Sequence, residues 1–109
     1  MALDDTGFER LADQTLARLS AAVEERLSDA VDVEQQGGIL TLELDDGRQY
    51  VINKHGPNRQ IWLSSPVSGA WHFAWDEGRK VWLSTREPAV LEELLAGELA
   101  RATGTDFAF

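Results

Sequence analysis

The apolar residues of this chain change their spacing twice, and that change restricts the fold more than any single motif. Phe8, Leu11, Ala12, Thr15, Leu16, Leu19, Val23 and Leu27 recur at steps of three and four. At the helical period they share one stripe, so the segment from about residue 6 to about residue 28 reads as an amphipathic helix that must pack on something. Asp5 or Thr6 can cap its start, and Glu9, three residues after Thr6, completes a capping box. From 32 to 84 the spacing falls to two, the period of half-buried strands. Val33 leads into a Gly37-Gly38 turn. The predicted strands after it are Ile39 to Leu44, Gln49 to Lys54, Gln60 to Ser64, Ala70 to Trp75 and Lys80 to Leu83. Asp46-Gly47 is a strong hairpin signal, because both positions tolerate positive φ. A second helix then opens at Glu87-Pro88, since proline suits a first helical position. Leu91, Leu94, Leu95, Leu99 and Ala102 form its apolar stripe and Gly104 its stop. Short links between strands imply an antiparallel meander. Helices at both ends of a five- to six-stranded meander pack economically on one face, which leaves the other to solvent. The expected fold is an α+β two-layer sandwich in one domain over 1–109.

Composition removes several function classes. The chain has no cysteine, so disulfides, thiolate metal sites and a cysteine nucleophile are excluded. No apolar run approaches the roughly 20 residues that span a bilayer. Met1 is followed by Ala-Leu-Asp-Asp, without the basic and apolar regions of a secretory signal, and a cytoplasmic location is expected. The net charge is −9, and it is unevenly distributed. Twelve acids face only Arg10, Arg18 and Arg26 in residues 1–46, whereas seven acids and seven bases balance in 47–109. Such a surface repels nucleic-acid phosphates and suits cations or basic protein surfaces. There is no nucleophile elbow, phosphate loop or dinucleotide fingerprint, and Ser64-Ser65 before Pro66 reads as a turn.

Two surfaces stand out as candidates. If Ile61 and Leu63 point to the helices, Gln60, Trp62 and Ser64 share the solvated face. Asn53 points outward by the same alternation, as does His72 between Trp71 and Phe73. Asn53, Gln60, Trp62 and His72 then form one patch with Lys54 and Arg59 nearby, and an outward tryptophan is a candidate protein anchor. Trp71, Trp75 and Trp82 are assigned to the core. The second surface is acidic. Glu25, Asp29 and Asp32 fall at i, i+4 and i+7, Glu9 and Asp13 form another helical pair, and Glu24 extends their flank. Glu34, Glu43, Asp45 and Asp46 add carboxylates from the adjoining strands. Oxygen ligands with few imidazoles suit calcium, manganese or iron. No calcium-loop or HExxH spacing is present, so taken alone the same residues read more readily as a solvated acidic face than as a metal surface.

The run from Tyr50 to Gly69, with Asn53-Lys54-His55-Gly56-Pro57-Asn58-Arg59-Gln60-Ile61-Trp62 at its heart, resembles the signature of frataxins. Leu11-Ala12-Asp13-Gln14 and Leu91-Glu92-Glu93-Leu94-Leu95 resemble that family's flanking helices, and the start is similar to its bacterial members. The resemblance implies a non-enzymatic protein that weakly binds ferrous and ferric iron (Fe2+ and Fe3+). Its implied partners are a cysteine desulfurase and an iron–sulfur scaffold protein, which it serves as iron chaperone or regulator. It implies a monomer able to form iron-induced oligomers. Carried over by position, the acidic ridge is Asp5, Glu9, Asp13, Glu24, Glu25, Asp29, Asp32 and Glu34, with Glu43 at its edge. Asn53, Gln60 and Trp62 match the family's partner-contact positions, whereas His72 stands where eukaryotic members carry arginine. The tail after Gly104 is short, which leaves the groove between the helices less covered. Two other readings remain open: a metal-independent acidic adaptor for the desulfurase, and a weak ferroxidase or iron store.

Overall fold

Alternation and helical periodicity together build a two-layer sandwich. The structure is a computed structural model that describes residues 3–109. Helix α1 (Asp5–Leu27) leads into strands β1 (Val31–Gln36), β2 (Ile39–Leu44), β3 (Gln49–His55), β4 (Gln60–Ser65), β5 (Gly69–Asp76) and β6 (Val81–Ser84). Helix α2 (Leu91–Thr103) follows. The strands pair antiparallel in chain order, β1-β2-β3-β4-β5-β6. Phe8, Leu16, Leu19 and Val23 of α1 and Leu91, Leu95 and Leu99 of α2 are buried with Leu40, Leu42, Tyr50, Ile52, Ile61, Leu63, Phe73 and Trp82. The expected fold class therefore holds, with six strands.

Several local expectations need correction. The cap of α1 is neither Asp5 nor Thr6. Asp4, in extended conformation, accepts the Gly7 N–H on its Oδ1 at 2.7 Å. Pro88 does not open α2, whose N-cap is Val90. Residues 89 and 90 first run back along β6: Ser84 N–H donates to the Ala89 carbonyl, and Leu83 bridges Val90. That pairing holds the backbone extended, which delays the helix. β6 begins at Val81, because Lys80 takes a positive φ of 58° in the turn. Ala102 is exposed, and Trp75 is only half-buried, with its Nε1 donating to Glu77 at 2.7 Å.

The groove between the helices is not left open. Phe107 is 8% exposed within the core, and the Arg26 guanidinium lies 4.7 Å from its ring centroid. Arg26 also donates to the Ala108 carbonyl. One aromatic side chain fills the gap and a cation covers it.

Glu98 occupies the inner face of α2 at 4% exposure. Its Oε1 accepts from the Tyr50 hydroxyl (3.1 Å) and the Ser65 hydroxyl (2.6 Å), and its Oε2 from the Ser68 hydroxyl (2.5 Å). Ser65 Oγ in turn accepts the Val67 and Ser68 N–H groups, and Ser68 Oγ accepts from Trp71 Nε1. A buried carboxylate is tolerable when its lone pairs are used in this way. The cluster ties the β4–β5 turn to α2.

Candidate cation and partner surfaces

Strand register builds the first surface. Asn53, Trp62 and His72 are direct cross-strand partners on β3, β4 and β5, and Gln60 lies in the next outward row opposite His55. The Trp62 indole is half-buried between two imidazoles. His55 stacks on one side at 3.6 Å between centroids and 10°, and His72 on the other at 4.2 Å and 11°. Trp62 Nε1 donates to Gln60 Oε1 at 2.8 Å, which fixes the ring in its plane. The outward position of all four sequence-derived residues is thus observed. His55 was missed, although the alternation that turns Asn53 outward also turns out the residue two positions on.

The same alternation turns Lys54 inward, away from this patch. Its Nζ lies 2.8 Å from Asp13 and 3.0 Å from Glu9 on α1. Bonding to Asp13 and then to Glu9 holds the Lys54 ammonium above the usual lysine range. Arg59, in a left-handed conformation (φ 51°), reaches Asp5 at 2.8 Å. These pairs divide the acidic surface. Asp5, Glu9 and Asp13, at the start of α1, have basic partners. Glu24, Glu25 and Asp29 near the end of α1, with Asp32, Glu34 and Glu43 of β1 and β2, form no ion pair among the described residues. Asp32 stands directly opposite Glu43 in the ladder, a like-charge arrangement that costs stability.

Among the described residues no three carboxylates or imidazoles converge closely enough to hold a metal ion. The donors fit a hard cation kept partly hydrated and weakly attracted by several charges. They do not fit a closed coordination shell. The hydroxyls of Ser65 and Ser68 are occupied in the Glu98 cluster.

Residues 1–105 match the family model of the Frataxin-like domain. The chain belongs to this family. It is 40% identical over 96 residues to the iron–sulfur cluster assembly protein CyaY of Vibrio cholerae, covering 88% of each chain. It is also 39% identical over 104 residues to the mitochondrial frataxin homolog of Schizosaccharomyces pombe, covering 92% of this chain and 66% of that protein. Against the mitochondrial frataxin of Arabidopsis thaliana the chain spans 57% of the relative's length. A frataxin structure from Psychromonas ingrahamii superposes with a TM-score of 0.85 at 26% identity, covering 97% of both chains. Trimeric yeast frataxin complexed with ferrous iron superposes at 0.77 with 36% identity, covering 96% of this chain and 90% of that one. The resemblance carried by residues 50–69 is therefore a family relation over almost the whole frataxin-like chain.

Proposed function

We propose that this chain serves iron–sulfur cluster assembly as a weak iron binder that delivers iron to, or regulates, a complex of cysteine desulfurase and scaffold protein. The observation that carries the reading is the spatial division of its surface. Glu24, Glu25 and Asp29 near the end of α1 and Asp32, Glu34 and Glu43 of β1 and β2 form no ion pair among the described residues, whereas the sheet turns Trp62 outward. The Vibrio relative's name carries the assembly role, and the yeast structure with ferrous iron supports iron as cargo. Iron acts here as a substrate held by charge. The chain works in the cytoplasm without catalytic groups of its own, as a monomer that iron drives into oligomers; the yeast trimers support the latter. The test is an anaerobic ferrous titration followed by amide signals. Glu24, Glu25 and Asp29 shift first; first shifts within 60–75 would refute the assignment. A desulfurase titration with and without iron completes it.

A second reading is favoured by the absence of converging ligands among the described residues. In it the acidic surface docks directly on a basic face of the desulfurase and metal is incidental. Such docking survives complete removal of metal and weakens steeply with salt.

A further inference from the structure

The two edges of the sheet are treated differently. β6 is covered, since Leu83 bridges Val90 and Ser84 N–H donates to Ala89. No described segment pairs with the outer edge of β1. The direction of its backbone groups follows from the neighbouring ladder. Lys54 N–H donates to the Gly38 carbonyl at 2.9 Å, so Gly38 and Leu40 turn their backbone groups to β3. Ile39, Thr41 and Glu43 then turn theirs to β1, where they face Gln36, Glu34 and Asp32. The N–H and C=O groups of Val31, Val33 and Gln35 are left pointing out of the sheet.

Edge strands are commonly blunted by lysine, proline or a bulge. Val31–Gln36 has no lysine or proline, and its register with β2 is unbroken. Only charge discriminates what such an edge accepts. Asp32 and Glu34 are exposed on the outer face, and Glu43 stands beside Asp32. A second copy pairing antiparallel about a two-fold axis would set these acids against their own counterparts. A strand with a base at every second position would instead place a cation beside each acid.

We propose that the outer edge of β1 accepts an extended basic segment, with lysine or arginine at alternate positions, as a seventh strand. The pairing shares Asp32, Glu34 and Glu43 with the proposed iron surface, but its hydrogen bonds use backbone groups that the ion does not need. It differs from simple charge docking by fixing an amide pattern.

The probe is an acetylated, amidated hexapeptide alternating lysine and valine, added to the full chain without metal. At ten times its dissociation constant it slows hydrogen exchange at the amides of Val33 and Gln35 about tenfold. Val33→Pro removes an outward donor but no bond of the β1–β2 ladder, and weakens binding about tenfold. The double variant Asp32→Lys/Glu34→Lys reverses the preference toward a peptide alternating glutamate and valine, so the test survives if the proline variant does not fold. Absence of binding, or binding without protection at Val33 and Gln35, overturns the proposal. So does a charge-reversed variant that still prefers the basic peptide, or self-association of the chain through β1. The ferrous titration above is read at Glu24, Glu25 and Asp29, and its outcome is separate.

Discussion

Glu98 offers a stability test whose size follows from its partners. Replacing it by alanine leaves the hydroxyls of Tyr50, Ser65 and Ser68 without their acceptor, and it opens a gap between α2 and the sheet. Each orphaned donor costs about 1 kcal/mol or more. Relief of the buried charge offsets part of this, so Glu98→Ala is expected to lose about 3 kcal/mol. Glu98→Gln keeps the volume. With its oxygen toward Tyr50 and Ser65, its NH2 meets Ser68, whose Oγ already accepts from Trp71 Nε1. The Ser68 hydroxyl hydrogen then has no acceptor, and the remaining bonds lose their charge assistance, for a cost of about 2 kcal/mol. Urea melts at neutral pH measure both: with a slope of about 1–2 kcal/mol/M, the Gln variant unfolds about 1–2 M earlier. A Gln variant as stable as the parent would refute the reasoning, because it would show that three converging hydroxyls give a carboxylate no advantage over an amide.

Burial, and then the Glu98 charge, push the Tyr50 phenol up to about 12. An unfolded tyrosine ionises near about 10, so the stability tied to this proton is complete below that pH and drains away as pH rises toward 12; Tyr50→Phe removes that fall. Tyr50 is the only tyrosine, so absorbance titration of tyrosinate reads it alone, and ionisation at the ordinary value would contradict the burial argument. Trp62→Ala costs less than about 1.5 kcal/mol while abolishing partner binding, as suits an outward ring; a thermal melt showing a core-sized loss would place it wrongly. Lys54→Met leaves Glu9 and Asp13 without their shared cation, so Mn2+ broadens their amide signals more than in the parent, and unchanged broadening would deny the pairing any influence. Phe107→Ala is expected to cost about 3 kcal/mol, and a neutral result would mean that the tail does not close the groove.

The periods of the apolar residues made both helices and the meander legible, because burial on one face imposes a spacing that chance rarely sustains. Trp62 was legible for the same reason: its strand offers Ile61 and Leu63 to the core and leaves only one other direction. Pair chemistry between distant segments was not legible. Lys54 lies 41 residues from Asp13 in the chain, and only the crossing of α1 over the end of β3 brings them together. Nor does the local sequence single out Glu98, since its hydroxyl partners come from β3 and the β4–β5 turn. The start of α2 was misplaced because Pro88 is compatible with a helical first turn, and nothing local signals that residues 89 and 90 pair with β6.

Pairing in chain order means that each hairpin can zip onto the last without waiting for remote segments. The contacts made last are then those between the chain's two ends, formed after the main barrier: Thr15 with Trp82, Phe8 with that same indole, Arg18 with Glu92. Weakening these closures is expected to speed unfolding in chevron kinetics more than it slows refolding, so how long the native fold lasts would depend on its first and last helices and hardly on the sheet between them.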